Sequence, residues 1–271
     1  MQKSVLPTEL FAVEILALSK NLLGCSIVIN AAGDNHAASR NLNLLLGPNA
    51  ALPVVIRRAS EAAKVIRFIH VSSSAVQGDR KILDNTPELS PFSPYSRAKA
   101  LAETWLLSEA QSLTQVIIYR PPGVHGSGRI MTEKIQALAA SPISSVAGGG
   151  TGPTPQALLE NVGDAVAFLA TTDEKPEQIV HHAWEGLSSA DFLRYLGGRE
   201  PRHLTRWVAR MIVGTTKIAE RPIPALAPHR RRIELLWFGQ GVAASWLELQ
   251  GWKPPFGAER WQQLGKTDLN Q

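Results

Sequence analysis

Cysteine is almost missing from this chain. Of 271 residues only Cys25 carries a thiol, so no intrachain disulfide can form. That suits a reducing compartment, and a cytoplasmic protein is expected. No apolar run approaches the ~18 residues of a membrane-spanning helix. The opening stretch MQKSVLPTELFAVEILALSKNLLG is interrupted by Glu9, Glu14 and Lys20, so it lacks the apolar core of a secretory leader. The seven histidines show no metal-binding spacing, and His181 and His182, adjacent in a candidate strand, point to opposite faces. No metal is expected. Repeats and low-complexity tracts are absent as well.

What is present is a globular core and an uneven charge. Hydrophobic residues make up 44% of the chain and charged ones 19%, the ordinary balance of a soluble globular protein. Residues 199–232 hold nine Lys/Arg against Glu200 and Glu220, a local charge of +7 in a chain of +5. Such a segment suits an anionic membrane surface, a diphosphate or nucleic acid, or is simply a solvated helix face. We expect no nucleic-acid partner. Short apolar runs at 26–30, 67–72, 115–120 and 178–184 alternate with helix-period segments at 8–23, 49–64, 95–112 and beyond. Thr8 is the expected N-cap of the first helix. Alternation of this kind predicts a parallel sheet with crossover helices. Pro and Gly cluster at 121–128, 142–155 and 221–228 as loops.

The stretch SPFSPYSRAKALAE, residues 90–103, carries the candidate chemistry. Tyr95 and Lys99 lie four apart, one turn apart on one helix face. A phenol titrates near ~10, and an ammonium one turn away favours the phenolate, bringing it toward acid–base work at neutral pH. Alone the pair is common. Its setting is less so: RFIHVSSSAVQG ends a strand with Ser72, Ser73 and Ser74, and SIVINAAG ends another with Asn30, Ala31, Ala32 and Gly33. VIIYRPPGVHGSG ends a third with a Pro/Gly loop. In doubly wound sheets ligands bind beyond the carboxyl ends of the strands, where these groups fall. The serines could equally cap strand-end backbone groups.

The order NAAG, SSSAVQG, Y-S-R-A-K, RPPGVHG and, near the end, LQGWKPPFGAERW resembles the extended short-chain dehydrogenase/reductase family of NAD-dependent epimerases and dehydratases. The resemblance implies an α/β fold: a Rossmann-like parallel sheet, truncated at its N-terminal half, with a smaller C-terminal substrate domain. Residues 1–128 would form the first domain and 129–271 mainly the second, a strand near 178–184 returning to the sheet. It implies that Tyr95 is the general acid/base and that Lys99 lowers its pKa and holds the nicotinamide ribose. Ser73 would be the catalytic serine, with Ser74 the alternative and a substrate contact. Asn30, Ala31, Ala32 and Gly33 would approach the cofactor, NAD or NADP, and Pro121, Gly123 and Val124 would lie against its carboxamide. Asn49 matches the family's helix-start asparagine. Asp164, in LLENVGDAVAFLA, would begin a helix lining the substrate.

The family also implies reactions at a carbinol or keto carbon, often of a nucleotide-diphosphate sugar. Reduction or dehydrogenation of an apolar, sterol-like substrate is the alternative. A homodimer through helices 49–64 and 95–112 and a peripheral membrane contact through 203–219 are further expectations. Within 203–219, however, the stripe Leu204, Trp207, Val208, Met211 and Ile212 is expected to pack on its own domain. One departure stands out. The glycine-rich loop that cradles the pyrophosphate is not in this chain: GVHGSG at 123–128 has G-x-x-G-x-G spacing behind Pro121-Pro122, and AGGGTG at 147–152 runs into Pro153. The family's adenine-contacting Asp appears as Ser4. A late start, a fragment, or a cofactor-less binding protein each accounts for this. The strand at 26–30 is then expected near a sheet edge, and weak NAD(P) binding is expected of these 271 residues.

Overall fold

Proline marks where several of the helices begin or change. The computed structural model describes residues 8–34, 41–108, 113–219 and 227–267. Helix α1 (Ala12–Asn21) leads into strand β1 (Ile27–Asn30), followed by α2 (Leu42–Leu46), a wide π turn (Gly47–Ala51) and α3 (Leu52–Ala62). Then come β2 (Arg67–Val71), β3 (Ile82–Leu83), α4 (Pro94–Ser108), β4 (Gln115–Arg120) and β5 (Gly123–His125). Next are α5 (Ile130–Ala140), β6 (Ser145–Ala147), β7 (Gln156–Leu158), α6 (Leu159–Thr171) and β8 (Ile179–His181). The rest comprises α7 (Ser189–Gly197), β9 (Arg202–Leu204), α8 (Arg206–Ala219), α9 (Ala227–Phe238), β10 (Gly241–Val242), α10 (Trp246–Leu249) and α11 (Ala258–Thr267).

Three local expectations are corrected. Thr8 opens a 3₁₀ turn, Thr8–Phe11, and α1 starts only at Ala12 with Phe11 at its N-cap position. The helix expected at 49–64 begins earlier, with α2, and is broken. Pro48 and Pro53 each lack the N–H that continues an α-helical ladder, and between them the turn widens so that Leu52 N–H reaches the Gly47 carbonyl. The strand expected at 178–184 pairs only over Ile179–His181.

The chain divides into two compact units. The first is drawn from Met1–Gly78, Asn85–Pro121 and Val166–His181. Its parallel sheet has the order β1-β2-β4-β8, with Asn30 opposite His70 and Val71 opposite Tyr119. Val54, Phe68, Leu106, Ile118 and Ile179 form its core, joining α3 and α4 to the sheet. Among the described residues β1 pairs with β2 alone, so the 26–30 strand does lie at an edge, with Ile27 and Ile29 exposed.

One buried ion pair fastens α4 to β4. The side chains of Arg120 and Glu103 are fully buried, with Nη2 donating to Oε2 at 2.6 Å and Nε to Oε1 at 3.1 Å. Arg120 Nη1 also donates to the Thr86 carbonyl at 2.9 Å, and Ser72 Oγ donates to Glu103 Oε1 at 2.5 Å.

The second unit is drawn from Asp79–Asp84, Pro122–Ala165 and His182–Gln271. Ala139, Leu158, Phe192, Leu196 and Trp261 are its core, where α5, α7 and α11 meet. A capping box of Ser188 and Asp191 starts α7, and Gly198, at φ 63°, ends it in the left-handed region. Three short parallel pairs, β5–β7, β6–β9 and β3–β10, complete the unit. The stripe expected to pack within 203–219 is corrected too. Leu204 belongs to β9, while Trp207, Met211 and Ile212 of α8 are exposed and Val208 is half-buried; among the described residues of α8, Ala209 is the buried one.

Removing one partner of the buried pair leaves a charge without compensation. Arg120→Met is expected to lower unfolding free energy by about 3–5 kcal/mol in urea titration, and Arg120→Met with Glu103→Leu by clearly less. Equal losses in both would show that the pair acts through packing alone.

Candidate active site

The first turn of α4 positions the candidate pair. Ser93 and Ser96 tie the helix start together, Ser96 Oγ accepting from Ser93 N–H at 2.9 Å and Ser93 Oγ from Ser96 N–H at 3.2 Å. Pro94, which needs no N–H partner there, is the first helical residue. Tyr95 follows, half-buried, and Lys99 lies one turn further on the same face, only 5% exposed.

Lys99 reaches the ends of the sheet strands. Its Nζ donates to the Val71 carbonyl at 3.1 Å, at the end of β2. Burial pulls its pKa down from 10.5 to about 8, and the Glu103 carboxylate, one turn along, opposes that shift. A Cβ placed on Gly33 would sit 2.8 Å from Asn49 Oδ1 and 3.3 Å from Lys99 Nζ. The small residue expected at Gly33 is therefore what lets the ammonium and the amide come up to the β1 end. Asn49, fully buried on the π turn, donates from Nδ2 to the Asp34 carbonyl at 3.1 Å, and its Oδ1 has no partner among the described residues.

Asn30 is held with equal care. Its Oδ1 accepts from Ala32 N–H at 3.1 Å, which turns Nδ2 toward His70 Nδ1 at 3.2 Å. His70 Nδ1 is thus an acceptor and the ring proton sits on Nε2, which is buried and unpartnered among the described residues. Desolvation, then the nearby Lys99 charge, holds its pKa well below 6.5, so the ring is neutral.

The serines divide their work. Ser72 is buried against Glu103, while Ser73 and Ser74 are half-buried at the start of a 3₁₀ turn. Ser73 Oγ accepts from Ala75 N–H at 3.2 Å, and Ser74 N–H donates to the Pro121 carbonyl at 2.8 Å. The cap leaves the Ser73 hydroxyl proton uncommitted by that bond. Asn30 to Gly33, Asn49, Ser73, Ser74, Tyr95, Lys99 and Pro121 all belong to the first unit. Gly123, Val124 and Asp164 belong to the second. Gly123 lies opposite Gln156 in the β5–β7 pair. Asp164 sits inside α6, five residues after its start rather than at it, and its Oδ1 accepts from Trp252 Nε1 at 2.7 Å.

The residues at the β1 and β2 ends fit the nicotinamide-ribose part of a dinucleotide. An ammonium has three N–H groups, and the Val71 carbonyl takes one of them; Asn49 Oδ1 offers a buried acceptor beside it. The glycine-rich loop for the pyrophosphate has no counterpart among the described residues, where the glycines at 123–128 lie in β5 and the turn before α5.

A parallel α/β sheet with a Tyr/Lys pair near its strand ends defines the class. Residues 12–186 match the profile of the NAD dependent epimerase/dehydratase family, and the chain belongs to that family. Its fold is that of the extended short-chain dehydrogenase/reductases. No curated protein matches the sequence. Among solved structures, UDP-glucuronic acid 4-epimerase from Bacillus cereus in complex with NAD is 16% identical, with a TM-score of 0.60 over 93% of this chain and 74% of that one. dTDP-4-dehydrorhamnose reductase from Bacillus anthracis in complex with NADP is 16% identical, with a TM-score of 0.59 over 92% and 83%. MoeE5 in complex with UDP-glucuronic acid and NAD is 21% identical, with a TM-score of 0.54 over 69% and 68%.

Sequence reasoning missed His70, Glu103 and Arg120. Glu103 had a signal, since it lies four residues beyond Lys99 on the same helix face. His70 had none, because its partner Asn30 is set by strand register.

A lysine whose pKa falls on folding is protonated more readily in the unfolded chain, so folding is penalised in full below about pH 8 and the penalty fades as pH rises toward 10.5. Unfolding free energy of the wild type, measured against Lys99→Met at each pH, should therefore gain about 3 kcal/mol between pH 8 and 10.5. A flat difference would mean that Lys99 is solvated.

Proposed function

We propose that the chain is an NAD(P)-dependent enzyme acting at a carbinol or keto carbon of a nucleotide-diphosphate sugar, by epimerisation, dehydration or reduction. The observation that carries this reading is the buried Lys99 ammonium. It stands one turn from Tyr95, is tied to the Val71 carbonyl, and lies beside Gly33 and Asn49. Family membership and the sugar-nucleotide enzymes among the structural relatives support the substrate class.

In this reading Lys99 and Asn49 hold the ribose next to the nicotinamide, which when bound accepts or returns a hydride at the reacting carbon. Gly33, Ala31 and Ala32 leave room for it at the β1 end. Tyr95 takes the proton from the substrate hydroxyl, or returns it to the keto oxygen, and the Lys99 charge favours its phenolate. Ser73, or Ser74 one residue along, donates to that same oxygen and fixes it. The neutral His70 adds no second positive charge beside Lys99. Pro121, Gly123 and Val124 are proposed to face the nicotinamide carboxamide. Asp164, already engaged by Trp252, would act on the substrate mainly by fixing α6.

The remaining partners are proposals of the same rank. A homodimer would use α3 and α4, whose half-buried Ile56 and Trp105 approach the surface. A peripheral membrane contact would use residues 203–219. The cytoplasm is the proposed compartment, which a single unpaired cysteine suits. Among the described residues no helix is long and apolar enough to cross a membrane.

Calorimetric titration of the chain with NAD and NADP, followed by assay of UDP- and dTDP-sugars with the tighter cofactor, tests the reading. Tyr95→Phe should lower turnover about 10²–10⁴-fold with cofactor affinity unchanged, whereas Lys99→Met should weaken both. Full turnover by Tyr95→Phe would refute the assignment.

A further inference from the structure

Helix α8 carries two exposed rows with one spacing. Trp207, Met211 and Ile218 lie at i, i+4 and i+11, and they are 64%, 58% and 68% exposed. Arg206, Arg210 and Lys217 repeat that spacing one residue earlier, and all three are exposed. At ~100° per residue each row occupies a sector only ~40° wide, and the two sectors are ~100° apart. The third side of the helix, with Ala209 buried and Val208 and Val213 half-buried, packs on the unit, α9 being a neighbour. No acidic residue interrupts Arg206–Ala219.

Positive charge continues past the helix. Lys217 lines a cavity of about 610 Å³ whose other charged walls are Lys81, Arg230, Arg231, Asp79 and Glu234. Arg231 is paired with Asp79 and Glu234, and Arg230 with Glu234, so both carboxylates are engaged within the cavity wall. Four cations against two carboxylates leave the wall positive.

From this arrangement we infer that α8 is an interfacial helix that seats the second unit on an anionic lipid surface. Trp207, Met211 and Ile218 enter the boundary between headgroups and acyl chains, and Arg206, Arg210 and Lys217 lie along the headgroup phosphates. An apolar row beside a basic row, with no acidic residue between, is the pattern such helices require. Each basic residue at an anionic surface adds to the attraction, and burial of the apolar row anchors it. A second copy of this chain is a poorer occupant, because packing α8 on α8 would bring two basic rows together. The inference rests on and deepens the membrane contact proposed for 203–219; it uses no residue of the proposed active site, so the failure of either leaves the other standing.

Co-sedimentation with vesicles tests it. The 271-residue chain is spun with phosphatidylcholine vesicles and with vesicles containing 30% phosphatidylglycerol, at roughly 0.1 M and 0.5 M salt, where the Debye length falls below ~10 Å. Binding is expected to the anionic vesicles and to weaken at high salt. Trp207→Ser with Met211→Ser, and separately Arg210→Glu with Lys217→Glu, should each weaken it about tenfold or more. Circular dichroism confirms that the variants fold. Wild type that does not bind, binding indifferent to lipid charge, or either double variant binding like wild type would overturn the inference. Sedimentation of the chain without vesicles that depends on concentration and is lost in Trp207→Ser would also overturn it, in favour of self-association.

Discussion

The Glu103 carboxylate holds the first unit's chemistry in place. It receives Arg120 from β4 and Ser72 from the end of β2, and it sits one turn beyond Lys99 on α4. One buried anion therefore fixes the helix that carries Tyr95 against the strands whose ends form the candidate site. It also provides the charge that keeps Lys99 from losing more of its basicity to burial. Charged groups this deep are tolerable only when every partner is in place, which makes the geometry stiff as well as costly to disturb.

Around that anion the site is assembled by absence of bulk. Gly33 has no Cβ where Asn49 Oδ1 and Lys99 Nζ approach, and Asn30 is locked by Ala32 N–H so that its amide meets His70. The cluster thus holds one ammonium, a neutral imidazole and an amide oxygen without a partner among the described residues. The second unit is tied differently, by aromatic N–H groups on carboxylates. Trp252 donates to Asp164 and Trp261 to Glu185, which also accepts from Leu158 N–H and pairs with His182.

The sequence by itself determined the class. Strand-like runs separated by helical periods predict a parallel sheet, and the motifs NAAG, SSSAVQG, Y-S-R-A-K and RPPGVHG place a Tyr/Lys pair near its strand ends. These are local signals, spacing and turn chemistry, and local signals survive folding. The edge position of the 26–30 strand was expected from the family resemblance, whose glycine-rich loop has no match here, rather than from a local signal.

Tertiary structure alone decided the rest, because it depended on partners far apart in the chain. Strand register put His70 opposite Asn30, forty residues away, and no local pattern announces a register. Two prolines widened the helix at Gly47–Ala51 and so buried Asn49 beside Lys99. The place of Ser72, as a buried partner of Glu103, follows from where α4 packs and not from the local pattern of SSSAVQG. On α8 the periodic pattern correctly identified an amphipathic helix. Only packing revealed that its small face, around Ala209, was the one buried and that Trp207, Met211 and Ile218 were left to the solvent, because periodicity gives the faces of a helix but not which of them finds a neighbour.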